Sequence, residues 1–213
     1  FRSENKKVIV KDLKGNEEFE DYYDKLMIAT GASSIIPPIK NLDIENVHTL
    51  KSMEDGIRLK ELFRDENNKN IAIIGAGFIG LEAVEAAKKY GKKVSVFQLG
   101  DRILQDVFDK EITDLLEEEL RNHNVDLYLQ ESVTEIIGDK KVKRVKTPNR
   151  EVEADVVIIA TGVRPNTEFL KNSNLEMLPN GAIIVDNYGK TSIEDVYSAG
   201  DCATITQIIT GEK

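Results

Sequence analysis

A glycine-rich segment near the middle of the chain constrains the fold more than any other part of the sequence. Residues 70–99 read as a short apolar strand, a turn containing Gly75, Gly77 and Gly80, a helix ending near Gly91, and a β-branched second strand. The pattern G-x-G-x-x-G is informative directly after a strand and at the start of a helix. In such a turn, Gly75 permits the tight bend, Gly77 lets a pyrophosphate approach, and Gly80 lets the helix pack closely on the strand. The segment therefore predicts a βαβ unit that binds a dinucleotide, with a turn selected only for packing as the alternative.

The strand after this helix departs from the usual dinucleotide-binding pattern. An acidic residue about 20 positions beyond the glycines normally accepts hydrogen bonds from the adenosine ribose, whereas this sequence has Gln98 there. An amide still bonds a ribose hydroxyl and does not repel a 2′-phosphate. Arg102 either meets such a phosphate or lies solvated in a loop, and both interpretations stay open. We expect modest discrimination that favours NADH over NADPH, because no basic pair replaces the acid.

The rest of the chain has the pattern of an α/β protein. A connector without periodicity is predicted over 33–46, where Pro37 and Pro38 interrupt the chain. Amphipathic helices are predicted over 50–63 and 109–121. Strands are predicted at 25–29, 126–129, 132–137, 142–146, 151–154, 156–160, 182–185 and 196–199.

Composition argues against several classes of function. The chain has 38 acidic and 29 basic residues, a net charge of −9, which disfavours a nucleic-acid partner because such binders rely on clustered Lys and Arg. Cys202 is the only cysteine and the sequence has 2 histidines, so no metal site is predicted. The apolar stretches are too short to span a membrane and the chain opens without a signal-peptide pattern, so we expect a cytoplasmic protein.

Four motifs together resemble one protein family. They are YDKLMIATGA at 23–32, the glycine fingerprint continuing into Leu81 and Glu82, VVIIATGVRPN at 156–166, and VYSAGDCA at 196–203. In order and spacing they are similar to motifs of the pyridine nucleotide-disulfide oxidoreductases, and most similar to those of the coenzyme A-disulfide reductase and NADH oxidase branch. The resemblance covers nearly the whole chain.

The resemblance implies a fold class and a domain organisation. The class is α/β, with a Rossmann-like NAD(P)-binding domain, made of a parallel sheet plus a β-meander, inserted in a partial FAD-binding domain. The implied boundaries are 1–47 for the first FAD-binding piece, 48–167 for the NAD(P)-binding domain and 168–213 for the returning FAD-binding segment. The family's FAD fingerprint and redox cysteine are missing from this sequence. We therefore expect a central fragment, inactive alone, of a protein that forms a homodimer through a further domain.

The resemblance also implies cofactors and site residues. The cofactors are FAD and NAD(P)H, with NADH favoured. The residues implied to bind NAD(P) are Gly75, Gly77, Phe78, Ile79, Gly80, Glu82, Gln98 and Gly162, and those implied to bind FAD are Thr30, Gly31, Gly200 and Asp201.

Several of these residues have a second interpretation that stays open. Glu82 lies near flavin and nicotinamide by resemblance, or is a solvated carboxylate in the first helical turn. Phe78 shields the flavin or nicotinamide, or packs against the sheet. Asp201 accepts a hydrogen bond from the FAD ribityl chain, or caps a helix. Cys202 is predicted to be a buried packing residue and not the redox thiol.

The activity implied by the resemblance is hydride transfer from NAD(P)H to FAD, followed by electron delivery to a small-molecule disulfide, peroxide or oxygen. No catalytic residue is predicted in this chain apart from the candidate Glu82. Two alternatives stay open. One is a cysteine-independent flavin reductase that serves a ferredoxin-like partner, and the other is a nucleotide-binding module without chemistry.

Overall fold

The computed structural model describes residues 3–206, 209 and 211 of the chain. It divides into two compact units, of which the first combines Phe1–Ser33 with Val163–Lys213 and the second is Ser34–Gly162. The helices are α1 (Met53–Arg64), α2 (Phe78–Lys89) and α3 (Lys110–Asn122). The strands are β1 (Lys7–Lys11), β2 (Glu18–Tyr22), β3 (Leu26–Ile28), β4 (Ala32–Ser34), β5 (Val47–Thr49), β6 (Asn70–Ile74), β7 (Lys93–Gln98), β8 (Val125–Leu129), β9 (Glu135–Gly138), β10 (Val142–Lys146), β11 (Glu151–Glu153), β12 (Val156–Ile159), β13 (Val163–Pro165) and β14 (Val196–Ser198).

The second unit is built on five parallel strands in the order β5-β12-β6-β7-β8. β6, α2 and β7 form the βαβ unit that the glycine pattern predicts. β6 lies between β7 and β12. After β6 the strands β7 and β8 are added on one side of it, whereas the later strand β12 is added on its other side. In an open parallel sheet, ligands bind at the carboxyl ends of the strands beside such a change of direction.

Both faces of this sheet are covered, which explains why its central strands β6 and β12 are almost entirely apolar. One core contains Ile71, Ile73 and Val96 from the sheet, together with Leu59 and Ala83 from the helices. On the other face, the antiparallel β-meander β11-β10-β9 contributes to a second core. The predicted fold class, an α/β protein with a parallel sheet and a meander, is confirmed.

Among its described residues, the first unit has three two-stranded sheets. β1 and β2 form an antiparallel hairpin, β3 and β14 pair in parallel, and β4 pairs with β13. Its core gathers buried side chains from distant parts of the sequence, including Ile28, Leu170, Ile183, Val196 and Cys202.

Four short segments differ from the expectation. The predicted strand at 182–185 is not a strand, because Ile183 donates to the Cys202 carbonyl and Ile184 to that of Glu176, so its bonds alternate between two irregular partners. β4, β5 and β13 form strands that the sequence pattern does not predict, since three residues are too few to show alternation.

The second unit begins at Ser34 because the predicted connector pairs with the meander. Lys40 forms an isolated bridge with Glu135, and Glu45 forms one with Lys141. The domain boundaries implied by the resemblance, after residues 47 and 167, stay a prediction.

Candidate functional site

The glycine turn lies between the end of β6 and the start of α2, and two of its glycines are required by packing. Gly75 has φ of 104°, and a Cβ there would lie 2.4 Å from the carbonyl oxygen of Ala160. A Cβ at Gly80 would lie 2.1 Å from the carbonyl oxygen of Gly75. Side chains at either position would collide with backbone, so the turn and the close packing of α2 both depend on glycine.

Gly77 has different surroundings and faces open space. Its φ is −81°, which any residue adopts, and no heavy atom lies within 4 Å of where its Cβ would be. It caps α2 without a side-chain hydrogen bond, and the first turn of the helix carries no acidic residue. Backbone N–H groups at such a helix start bind phosphates. The residues therefore fit the pyrophosphate of a dinucleotide.

An open groove of about 400 Å³ runs over this turn. Of the residues predicted to bind NAD(P), it brings together Gly75, Gly77, Phe78, Ile79, Gln98 and Gly162. Gly80 lies beneath the turn, where its backbone packs on Gly75. The far wall comes from the loop after β7, whose Leu104 N–H donates to the Ala76 carbonyl over 3.2 Å.

The side chain of Gln98 is directed at the turn. Its Oε1 accepts from the Ala76 N–H over 3.1 Å, and its Nε2 donates to the Arg102 carbonyl over 3.5 Å. An amide satisfies both bonds at once, since a carboxylate has no donor for the second. Local hydrogen bonding thus gives a physical reason for an amide at this position.

Arg102 neither lines the glycine groove, where it would meet a phosphate, nor has a fully solvated side chain. Its guanidinium donates to the Gln105 carbonyl over 3.1 Å, and its Nε is buried without a hydrogen-bond partner among the described residues. It is not one of the described residues that line the groove. Arg102 therefore holds the loop after β7.

Thr161 and Gly162 follow β12 on the other side of the turn. Thr161 Oγ1 donates to the Ile35 carbonyl over 2.8 Å, and the Ile35 N–H donates to Gly162 over 2.9 Å. Gly162 has φ of 109°. These bonds hold Thr161 and Gly162 in place at the carboxyl end of the sheet. Because both residues are small, a ligand is able to come close to the backbone at this edge of the groove.

Phe78 and Glu82 lie one turn apart on α2 and face different surroundings. Phe78 is 57% exposed and meets Phe108 edge-on, with ring centroids 6.1 Å apart. Glu82 lies beyond the first turn of α2, contrary to the second interpretation offered above, and it is exposed and lines a separate apolar groove of about 370 Å³ between α1 and α2. The second unit does not bring Glu82 into the glycine groove, and its role near a flavin stays a prediction.

The residues predicted to bind FAD lie in the first unit. β3 and β14 run in parallel, so Thr30-Gly31 and Gly200-Asp201 follow the carboxyl ends of neighbouring strands. Gly31 and Gly200 have φ of 67° and 80°, and no heavy atom lies within 4 Å of either Cβ position. Thr30 Oγ1 donates to the Asn166 carbonyl over 2.8 Å. This strand edge therefore presents open backbone at two glycines.

Cys202 is buried beneath this edge. Its Sγ lies 3.4 Å from the Ala199 carbonyl and 3.5 Å from Ser198 Oγ. Burial raises the pKa of the thiol, but hydrogen bonds from Ser198 and from the backbone of Gly31 outweigh it and lower the pKa overall. The thiol is packed in the core, as the sequence predicts.

Sequence reasoning missed Gln105 and Glu131, which line grooves at the ends of the strands. Glu131 was detectable as a charged residue just after the apolar strand β8, at the sheet edge where ligands bind. Within the part of the chain that the structure describes, no helix has the length and apolar character needed to cross a membrane. Nor do those residues include three or more His, Cys, Asp or Glu side chains grouped to hold a metal ion.

Comparison with known proteins places this geometry in a family. The family described as pyridine nucleotide-disulphide oxidoreductase matches residues 1–212. An NADH oxidase from Enterococcus faecalis is 42% identical over 204 residues, covering 95% of this chain and 45% of that protein. A CoA-dependent NAD(P)H sulfur oxidoreductase from Pyrococcus abyssi is 39% identical, covering 97% of this chain and 46% of that protein.

Among solved structures, the water-forming NADH oxidase from Lactobacillus brevis, bound to NADH, superposes with a TM-score of 0.88 and 34% identity. That superposition covers 96% of this chain and 45% of the oxidase. The chain belongs to the pyridine nucleotide-disulfide oxidoreductase family, as its four motifs predict. It spans a little under half the length of these relatives.

Proposed function

We propose that this chain carries the nucleotide sites of a flavoprotein oxidoreductase that uses NAD(P)H, preferring NADH, and FAD to reduce a small-molecule disulfide, peroxide or oxygen. The observation that carries the proposal is the open space in front of Gly77, at a helix start without a side-chain cap. The packing of Gly75 and Gly80 explains the turn without a ligand. The openness at Gly77 has no such explanation in the chain itself.

Each group of residues has a role in this proposal. The N–H groups at the start of α2 hold the pyrophosphate, Gln98 lies at the adenosine end, and Thr161 and Gly162 flank the remainder of the nucleotide. Thr30, Gly31, Gly200 and Asp201 hold FAD at the ends of β3 and β14. FAD, when bound, supplies the hydride acceptor and passes electrons onward, whereas the protein supplies binding and orientation.

The names of the relatives support the proposed acceptors. An NADH oxidase and a CoA-dependent sulfur oxidoreductase are both similar to this chain over nearly its whole length. Of the three proposed acceptors, these names favour oxygen and a disulfide over a peroxide.

Calorimetric titration with NADH tests the site, using Gly77→Val. Because Gly77 has negative φ and an empty Cβ position, the variant keeps its fold while the new side chain fills the space of the pyrophosphate. We expect binding to fall below detection. Gly56→Val is the matched control, since Gly56 also has no heavy atom within 4 Å but lies in α1, outside the glycine groove.

Equal NADH affinity in the wild type and in folded Gly77→Val would contradict the proposal. Loss of binding in both variants would show that glycine replacement in this unit acts through stability, and circular dichroism of each variant distinguishes that case.

A further inference from the structure

A second groove, of about 430 Å³, adjoins the glycine groove at the carboxyl ends of β7 and β8. The two grooves share Gly75, Gln98 and Gln105 among their lining residues. The Glu131 N–H, just beyond the end of β8, donates to the Gln98 carbonyl over 3.0 Å, so Glu131 is the direct neighbour of Gln98. The adenosine ribose of a dinucleotide lies at the end of the second strand, which here is the position of Gln98. Glu131 therefore lies beside the ribose end.

Glu131 is a buried carboxylate that the protein holds firmly. The residue is only 5% exposed. Its Oε1 accepts from Thr147 Oγ1 over 2.5 Å and from Arg150 Nε over 2.9 Å. The Arg150 guanidinium in turn lies over the Tyr128 ring, 4.8 Å from its centroid. Both hydrogen bonds reach the same oxygen, so neither engages Oε2.

The ion pair presents its negative member to the groove. Among the described residues that line this groove, Glu131 is the one with a charged side chain, and Arg150 does not line it. In the adjoining glycine groove, the charged residue among those described is again acidic, Asp106. No lysine or arginine is among the described residues that line either groove, and the guanidinium of the nearby Arg102 is held by the Gln105 carbonyl.

We propose that Glu131 determines nucleotide specificity, by repelling the 2′-phosphate of NADPH from the position that the neutral Gln98 leaves unprotected. The inference rests on the proposed function, since it requires a nicotinamide nucleotide in the glycine groove. The negative charge that usually lies at the end of the strand after the fingerprint helix is supplied here by Glu131, just beyond the end of β8. Because this carboxylate is buried, solvent and salt screen its repulsion only in part.

The test is the ratio of the NADPH and NADH dissociation constants for the wild-type protein and Glu131→Gln. Glutamine keeps the size of the side chain and an oxygen that accepts from Thr147 and Arg150. We expect the ratio to fall by about threefold to tenfold, the effect of one partly screened charge. The fall comes from tighter NADPH binding, with NADH affinity nearly unchanged. Salt screens the repulsion. Raising the KCl concentration should therefore lower the ratio of the NADPH to the NADH dissociation constant more in the wild type than in Glu131→Gln.

Glu135→Gln is the matched control, because it removes the same charge from β9 and Glu135 lines neither groove. An unchanged ratio in folded Glu131→Gln would overturn the inference, as would an equal loss of affinity for both nucleotides, which a purely structural role produces. Wild-type protein that binds neither nucleotide would instead contradict the proposed function itself.

Discussion

Both units of this protein carry glycines at the carboxyl ends of parallel strands, but the surroundings of those glycines differ. In the second unit, a side chain at Gly75 would collide with the Ala160 carbonyl at 2.4 Å. In the first unit, Gly31 and Gly200 also have positive φ, yet nothing lies within 4 Å of their Cβ positions. Chain packing thus requires the first glycine, whereas backbone conformation alone requires the other two.

This difference separates structural glycines from those at ligand sites. A glycine pressed against backbone is explained by the fold, and its replacement reports on stability. A glycine that has ordinary backbone angles and faces open space, as Gly77 does, is explained neither by packing nor by backbone conformation. Gly77 is therefore the candidate ligand position of the second unit, whereas the positive φ of Gly31 and Gly200 already accounts for those two glycines and their open Cβ positions leave room for a ligand.

The largest expected effect comes from comparing Gly75→Ala with Gly31→Ala. Both glycines have positive φ, which costs an alanine about 1–2 kcal/mol. Gly75→Ala adds a collision with backbone, so we expect a total loss of about 3 kcal/mol against about 1 kcal/mol for Gly31→Ala. Urea denaturation of both variants measures the difference. An equal loss of unfolding free energy in the two variants would show that backbone contact at the Cβ position does not distinguish Gly75 from Gly31.

A smaller effect is expected at Asn166, which joins the two sequence segments of the first unit. Its Nδ2 donates to the Thr30 carbonyl over 3.0 Å, and its Oδ1 accepts from Ser33 Oγ over 2.7 Å. Losing both bonds in Asn166→Ala should cost about 2 kcal/mol. Exposed Asn172 in the same unit provides the control, since its replacement by alanine should leave the free energy of unfolding nearly unchanged. A neutral Asn166→Ala would show that other contacts hold the segments together.

An effect of about 1 kcal/mol is expected for Gln98→Glu, the size of one charge-assisted hydrogen bond after desolvation. A carboxylate at this position accepts from the ribose hydroxyls, so NADH binding should strengthen by that amount, and NADPH should weaken by more. Titration of both nucleotides measures the change. A constant ratio between their dissociation constants would mean that residue 98 does not face the ribose.

The smallest expected effect concerns Asp195, a residue of the first unit that contributes to the pH dependence of stability. Hydrogen bonds from Lys25 and Lys6 lower the pKa of Asp195 from 3.8 to about 2. Because the folded pKa lies below the unfolded one, the stabilisation is present above about pH 4 and is lost as the pH falls towards 2. Unfolding of Asp195→Asn should therefore vary less than that of the wild type over this range. If the free energy of unfolding varied with pH equally in the wild type and in Asp195→Asn, the ion pairs of Asp195 would add nothing to stability.

The sequence predicted the second unit better than the first, for a physical reason. Continuous apolar strands and a glycine turn are local signals, and β6, α2 and β7 lie where those signals indicate. The strand predicted at 182–185 failed because the backbone of Ile183 bonds to Cys202, a partner that local sequence does not reveal. Gln98 was identified by its spacing, but its bond to the Ala76 N–H and its neighbour Glu131 depend on tertiary contacts across three strands.

A residue-resolved NMR titration of the isotopically labelled protein with NADH distinguishes the two proposed nucleotide sites. We expect the amide signals of Gly77, Phe78 and Gly162 to shift saturably, while those of Gly31 and Gly200 stay in place until FAD is added. Shifts at Gly31 and Gly200 with none at Gly77 would contradict the assignment of the glycine groove to the nicotinamide nucleotide.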